Sequence, residues 1–298
     1  MVPLYAAYGL TIASDLGLDL SRTEASGVNV EVVYAPVRRP APGQLPPGDG
    51  CWYADADEAV YFWPGSGAFR VHGGRYVELD PDESVGDDAL GLIVVGRLLA
   101  ALLHQRGLFV LHASAIVGPA GAVAIAAHSG TGKSTSAAVL ARCGYRLLTD
   151  DILAVDLSAA VPTVQPGGRG LKLWPASVDA VGATGVRLRP VVAGSDKQVW
   201  PLDAVAGSMP LVGLYVLEAA AGPTVAPLGR RHAVLEVMSR SYCSEELRLW
   251  GGGANLTHAA DMVRRVPVRH LRRPAGLGGF ERWAEAFAAD AERLLDPP

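Results

Sequence analysis

Lysine is scarce in this sequence. Of its 26 basic residues only three, Lys133, Lys172 and Lys197, are lysines, and the others are arginines. A chain with so strong a preference for arginine is expected to keep lysine where a compact ammonium is needed and a planar guanidinium would not serve. The three lysines are therefore candidate functional residues, although Lys172 and Lys197 could also be chance survivors.

Cysteine and positive charge are also in short supply. The three cysteines lie far apart, with no Cys-x-x-Cys pair and no histidines at zinc-finger spacing, which excludes a disulfide scaffold and a zinc finger. The formal net charge is -4. A general nucleic-acid binder needs a basic surface to neutralise phosphates, so this charge predicts no nucleic-acid partner.

Long hydrophobic runs are missing as well. The most apolar helix-like stretch, residues 89–103, is short and contains Arg97, which is below the length that spans a bilayer. The first residues lack the basic segment and apolar run of a signal peptide. We therefore predict a cytoplasmic protein with no membrane partner. With 50% hydrophobic residues the chain can still bury a full core.

The first 86 residues predict a small β-rich module. Residues 28–34 and 59–63 are rich in β-branched and aromatic side chains, which is typical of strands. Residues 68–71 and 75–79 form a similar pair, joined through His72-Gly73-Gly74, which predicts a hairpin. No pattern in this module suggests catalysis.

Residues 87–298 predict an α/β domain with a mixed sheet flanked by helices. Two apolar runs, 108–117 and 122–127, are separated by a Gly/Pro turn and predict buried strands. The second leads into a glycine-rich loop, a helix over 135–143 and a strand over 145–149. Further helices are predicted around 233–242, 256–265 and 280–295.

The glycine-rich loop matches the P-loop pattern, except that its first glycine is Ala127. In a P-loop, glycines let successive N–H groups point at phosphates, a lysine reaches the β and γ oxygens, and a hydroxyl ligates Mg²⁺. The pattern predicts binding of ATP with Mg²⁺. The candidate nucleotide-binding residues are His128, Ser129, Gly130, Thr131, Gly132, Lys133, Ser134 and Thr135.

Two adjacent carboxylates, Asp150 and Asp151, follow the next predicted strand. Phosphoryl transfer needs a metal ligand opposite the P-loop hydroxyl and a group that orients the attacking hydroxyl. Like charges held close raise the pKa of one carboxyl group, which suits a general base. An exposed acidic turn is the alternative. His112, on the preceding strand, is either an orienting residue or a hydrogen-bonded core histidine.

Other P-loop classes lack their signatures here. No Asn/Thr-Lys-x-Asp motif of the common GTPases surrounds any of the three lysines, and the Leu-Ser-Gly-Gly-Gln motif of ABC proteins is missing. A kinase is the remaining expectation.

The order of these motifs resembles the catalytic domain of bacterial HPr kinase/phosphorylase. The resemblance covers residues 112–202, about a third of the chain, and rests on His112, the Ser-Gly-x-Gly-Lys-Ser loop and Asp-Asp after Arg-Leu-Leu-Thr. It implies that Asp150 is the base towards a protein serine. It also implies that Asp151 lies at the metal, for which the P-loop pattern supplies the Ser134 hydroxyl, and that His112 joins the same cluster.

A further family motif is matched only in part. Arg169-Gly170-Leu171 is similar to its Arg-Gly-hydrophobic core, but the metal-binding glutamate of the family is replaced by Gly167. No glutamate occurs between Glu83 and Glu218. The resemblance therefore supplies neither a second acidic metal contact nor support for the reverse phosphorylase reaction.

Several segments resemble the divergent kinases associated with lasso-peptide biosynthesis. They are Tyr8-Gly9-Leu10, the Leu-Lys-Leu-Trp-Pro stretch around Lys172, and Asp196-Lys197. This resemblance implies an acceptor serine on a small peptide, with Arg169, Lys172 and Lys197 as candidate substrate contacts.

The sequence thus predicts an ATP-dependent kinase acting on a serine hydroxyl of a peptide or small protein, as a possible homo-oligomer. A small-molecule kinase and a non-catalytic, nucleotide-responsive binding module are the alternatives. An arginine cluster near the C-terminus is interpreted as a solvated, ion-paired face, with an anionic partner as the alternative. Its members are Arg264, Arg265, Arg269, Arg272 and Arg273.

Overall fold

The computed structural model shows a mixed α/β protein with two large mixed sheets and surrounding helices. It divides into two compact units, Met1–Val110 with Tyr242–Asn255, and Leu111–Ser241 with Leu256–Pro298. Among the described residues, no helix is both long and apolar enough to cross a membrane. The structure describes residues 1–41, 50–183, 186–192, 194–202, 205–220, 222, 224–249, 253–273 and 280–297.

Eight of the described strands of the first unit form one sheet in the order β3-β1-β2-β4-β8-β7-β6-β5. The pairs β2–β4 and β4–β8 are parallel and the other pairs are antiparallel. The strands are β1 (Leu4–Ala7), β2 (Leu10–Ser14), β3 (Ser21–Arg22), β4 (Val30–Tyr34), β5 (Cys51–Ala54), β6 (Glu58–Trp63), β7 (Gly67–His72) and β8 (Tyr76–Pro81).

Two tight turns organise this sheet. Gly73 and Gly74 have φ of +59° and +58° between β7 and β8, which is the left-handed backbone that hairpin turns matching the strand twist require. The predicted β7–β8 hairpin is therefore confirmed. Tyr8 and Gly9, with φ of +55° and +73°, make the same kind of turn between β1 and β2, two strands that the sequence reasoning did not predict.

The apolar helix-like stretch of residues 89–103 forms part of a longer helical segment of the first unit. This segment comprises α1 (Asp87–Ile93), a π-helical turn (Val94–Leu98) and α2 (Leu99–Gln105), and its buried face packs against β7. The predicted boundary between residues 86 and 87 differs from the observed division for this reason. An apolar helix following a sheet buries most area by covering that sheet.

The segment that begins at Tyr242 belongs to the first unit, and an ion pair between Glu246 and Arg97 holds it there. The carboxylate of Glu246, which is fully buried, lies 2.8 Å from the Arg97 Nε and accepts a hydrogen bond of 2.5 Å from the Tyr61 hydroxyl. The helix that carries it, Ser244–Leu249, packs on β5. Arg97 and Glu246 lie too far apart in the sequence for a local pattern to predict their contact.

The second unit is built on the sheet that carries the glycine-rich loop, the candidate P-loop. Its order is β10-β9-β12-β13-β17-β19-β18, with β11 on β9 and an additional pairing of β10 with β17; β14, β16 and β15 form a smaller sheet. The strands are β9 (Phe109–Gly118), β10 (Gly121–Ala126), β11 (Arg146–Thr149), β12 (Ile152–Asp156), β13 (Thr163–Val164), β14 (Gly170–Leu173), β15 (Arg189–Pro190), β16 (Gln198–Pro201), β17 (Met209–Ala219), β18 (Thr224–Pro227) and β19 (Val268–Arg273).

Strand directions bring the polar residues to one edge of this sheet. Strand β10 is parallel to β17, which is parallel to β19, and β10 and β11 are both antiparallel to β9. The carboxyl ends of β10, β11, β17 and β19 therefore meet at the same edge, where the P-loop, Asp150 and Arg273 lie. The start of β9 adds His112 and Ser114, since Ser114 pairs with Ile125 and Ala113 pairs with Ala126.

Helices cover this sheet and complete its core. Those at 133–142 and 280–295, predicted from the sequence within two residues at each end, pack on β10 and on each other. Phe280, Trp283 and Phe287 are buried along one stripe of the last helix. The described helices beyond α2 are α3 (Lys133–Arg142), α4 (Pro175–Ala180), α5 (Arg230–Ser239), α6 (Ser244–Leu249), α7 (Gly253–Arg265) and α8 (Phe280–Leu295).

Glu246→Ala should destabilise the protein markedly. The substitution leaves the partly buried Arg97 guanidinium without this carboxylate, and breaking a buried pair typically costs about 3–5 kcal/mol. Urea unfolding checks this. The matched control is Glu31→Ala, which removes an exposed partner of Arg75 and should move the unfolding midpoint little. Equal midpoint shifts for the two variants would contradict the assignment.

Candidate functional site

The glycine-rich loop, the candidate P-loop, leads into an uncapped helix start at α3. Gly130 and Gly132 have φ of +80° and +103°, conformations that glycine adopts without strain. Helix α3 begins at Lys133, and no side chain caps its first turn. The first N–H groups of a helix have no intrahelical acceptor, so this turn is suited to an anion such as a phosphate.

Lys133 is buried and held by the carboxylate pair. Its Nζ lies 2.7 Å from Asp151 Oδ1 and 3.5 Å from Asp150 Oδ1. Burial lowers the pKa of Lys133, but the two carboxylates more than compensate and raise it. The side chain therefore stays charged at neutral pH, as a phosphate-binding lysine must.

Asp150 is buried and surrounded by hydrogen-bond donors. It accepts hydrogen bonds from the hydroxyls of Ser114 at 2.5 Å and Ser134 at 3.0 Å, and from the backbone N–H of Lys172 at 2.9 Å. The structure thus joins the P-loop hydroxyl to the first aspartate of the pair. Ser114 was missed by the sequence reasoning, and its position two residues after His112 was the available signal, because such residues share one face of a strand.

Asp151 lies in a sharp turn that aims it at two lysines. Its φ is +72°, an uncommon conformation that aspartate tolerates and that clusters at functional sites. Its carboxylate lies 2.7 Å from Lys133 Nζ and 2.9 Å from Lys172 Nζ. Burial raises the pKa of Asp151, but the two ammonium groups outweigh this and hold it well below its usual range.

The three candidate substrate contacts differ in placement. Lys172, on β14, joins the cluster, and its pKa is raised because Asp151 and Asp150 outweigh the effect of burial. Lys197 lies with its Nζ 6.0 Å from the Trp174 ring, and its charge lowers the pKa of His112. Arg169 is exposed, and its described contact is a backbone one, with Leu202.

His112 is held neutral. Burial, followed by the charge of Lys133, lowers its pKa to about 4, against a smaller opposing effect of Asp151 and Asp150. Its backbone N–H donates to the Arg240 carbonyl. A neutral imidazole has one nitrogen that donates a hydrogen bond and one that accepts a hydrogen bond, so the residue suits an orienting role.

The oxygen donors at this edge fit a magnesium ion. Ser134, Asp150 and Asp151 supply one hydroxyl and two carboxylates within one hydrogen-bonded cluster, and Mg²⁺ prefers such hard oxygen ligands. When bound, the ion would neutralise charge on the phosphates. Of the other predicted loop residues, His128 and Ser129 are exposed and Thr135 is buried. The Thr135 hydroxyl donates a hydrogen bond of 2.9 Å to the Ser177 hydroxyl.

His112 should remain neutral down to about pH 4. Because its folded pKa is depressed below the unfolded value of about 6.5, its contribution to stability is complete above pH 6.5 and is lost as the pH falls to 4. NMR titration of the imidazole measures this. Lys133→Met should raise the pKa more than Lys197→Gln does, and a wild-type value near 6.5 would contradict the described environment.

Comparison with known proteins gives a partial likeness to solved structures. No family model matches the sequence, and no curated protein matches it. Among solved structures, the chain is similar to the Hpr(Ser) kinase/phosphatase from Coxiella burnetii, with 14% identity and a TM-score of 0.30. The match covers 61% of this chain and 98% of that one. At these values the function must be argued from the residues of this chain.

Proposed function

We propose that this protein is an ATP- and Mg²⁺-dependent kinase of the HPr kinase type that phosphorylates a serine hydroxyl of a peptide or small protein. The observation that carries the proposal is one cluster in which the P-loop residues Lys133 and Ser134 contact Asp150 and Asp151. A P-loop supplies phosphate binding, and an adjacent carboxylate pair supplies a metal ligand and a proton acceptor.

The reaction follows from these groups. The serine oxygen forms a bond to the γ-phosphorus, the bond from that phosphorus to the β–γ bridging oxygen breaks, and ADP leaves. The serine proton passes to a carboxylate of the pair. Lys133 and the amides at the start of α3 bind the phosphate oxygens, so positioning and charge provide most of the catalysis.

The arrangement of charges supports phosphate binding as the first step. Lys133 and Lys172 both contact Asp151, so each ammonium already lies in the pocket. A triphosphate offers more negative charge than one carboxylate and can take over Lys133. Asp151 then loses one of its two cationic partners, which raises its pKa and makes it a better proton acceptor.

We propose a small peptide as the acceptor, specifically a precursor of the lasso-peptide type. Its support is the sequence resemblance around Tyr8-Gly9-Leu10 and Lys172. A small-molecule kinase and a nucleotide-responsive binding module are the competing functions. Transfer to serine peptides, to free small alcohols or to neither separates the three.

Lys133→Ala and Asp150→Asn should each abolish most phosphoryl transfer. Removing the lysine deprives the phosphates of their ammonium. Asp150→Asn removes a carboxylate that serves as the base, a role typically worth about 10²–10⁴-fold in rate, or as the metal ligand. The assay follows label from γ-labelled ATP to a panel of serine peptides with Mg²⁺. Asp156→Asn, at the half-exposed end of β12, is the matched control and should retain activity.

Two results of this assay would contradict the proposal. Transfer that survives Asp150→Asn would remove that residue from the base role. ATP binding without transfer to any serine peptide, alcohol or water would favour the binding module.

The division of work between the two carboxylates is also testable. The sequence resemblance assigns the base to Asp150 and the metal to Asp151. The candidate metal-binding hydroxyl of Ser134, however, donates a hydrogen bond to Asp150. This contact favours the opposite order, with Asp150 at the metal and Asp151 as the base. In that order, Asp150→Asn should raise the Mg²⁺ concentration needed to bind ATP, and Asp151→Asn should lower kcat with binding unchanged. Mg²⁺ titrations of ATP binding, read by calorimetry, and kinetics of the two variants distinguish the orders.

A further inference from the structure

Arg273 lies against the glycine-rich loop. The solvated, ion-paired face that the sequence predicted for the whole arginine cluster is therefore wrong for this residue. It is the last residue of β19, whose carboxyl end meets the P-loop edge of the sheet. Its Nη2 and Nε donate to the backbone carbonyl of Thr131, at 3.0 and 3.3 Å. Both donors of one guanidinium edge therefore converge on a single loop oxygen.

The guanidinium of Arg273 also lies over the ring of Trp283. Its carbon lies 5.9 Å from the centre of the Trp283 ring, within the range of a cation–π contact, and Trp283 is itself buried in the core. Burial lowers the pKa of Arg273, although a guanidinium remains charged in proteins. A half-buried cation held between an indole and a carbonyl has little freedom to move.

This contact constrains the part of the loop that faces phosphate. In a trans peptide the carbonyl of Thr131 and the N–H of Gly132 point in opposite directions, so holding the oxygen towards Arg273 turns the amide away from it. Gly132 has φ of +103°, and a Cβ there would lie 2.3 Å from Arg273 Nη2. A side chain at residue 132 would therefore displace the arginine from the loop as well as strain the backbone.

We infer that Arg273 is a positioning residue that holds the P-loop open for phosphate by fixing the Thr131–Gly132 peptide. This rests on the proposed function, because it takes the loop to be a nucleotide site. The contact lies on the backbone, so it acts on every phosphate that the loop amides bind. ADP and ATP should therefore depend on it to the same extent.

The neighbouring Arg272 provides a matched control. It is exposed and lies 3.6 Å from Glu218, on the ion-paired side of the same strand. Arg272→Gln makes the same chemical change one residue away. Arg273→Lys keeps the charge but replaces two convergent donors by one flexible ammonium.

Calorimetry with ATP and with ADP, each with Mg²⁺, tests the inference. Arg273→Gln should weaken both nucleotides by about tenfold or more, the size expected for losing a hydrogen bond to a charged group. Arg273→Lys should fall between Arg273→Gln and wild type, and Arg272→Gln should match wild type. In kinase assays Arg273→Gln should raise KM for ATP with kcat unchanged.

Amide hydrogen exchange of residues 129–134 without nucleotide provides a second measurement. Exchange there should be faster in Arg273→Gln than in wild type and unchanged in Arg272→Gln. Unchanged exchange and nucleotide affinity in Arg273→Gln would overturn the inference, and so would a loss confined to ATP, which would make Arg273 a γ-phosphate ligand. A wild type that binds no nucleotide would instead refute the proposed function, while the exchange comparison still decides the role of Arg273.

Discussion

The site depends on four charges packed at one edge of a sheet, namely those of Asp150, Asp151, Lys133 and Lys172. Buried charges are tolerated only when they are paired and hydrogen-bonded, and here each ammonium has a carboxylate within 3 Å. Asp150 completes its shell with two hydroxyls and a backbone N–H. The cluster is balanced in charge, so its energy is sensitive to any group that is added or removed.

Balance of this kind suits a site that must change partners. The ion pairs of Asp151 with Lys133 and Lys172 satisfy charges that would otherwise be costly to bury. These pairs are non-covalent, so each ammonium can exchange its carboxylate for another anion. An incoming anion can replace a carboxylate at an ammonium without leaving a charge unpaired, provided a cation arrives with it. The proposed requirement for a metal together with the nucleotide agrees with this charge balance.

Much of the second unit could be predicted from local patterns. Strand β10, the glycine-rich loop and α3 follow from apolar runs and glycine positions, and α8 follows from its aromatic stripe. Strand β19 was missed because arginines occupy half of it, and their charge obscures a strand that is buried at Val268 and Leu271. Ser114 and the contact of Glu246 with Arg97 were missed because a single hydroxyl has no periodicity and a separation of about 150 residues leaves no local trace.

The scarcity of lysine has a practical consequence. With three side-chain amines in the whole chain, an amine-reactive reagent has few targets besides the exposed N-terminus. Lys133 and Lys172 are both engaged with Asp151, and Lys197 lies beside Trp174. An amine-reactive reagent that labels lysine therefore labels mainly residues in and near the candidate site. The degree to which a bound molecule protects each lysine from the reagent reports which ammonium groups that molecule covers.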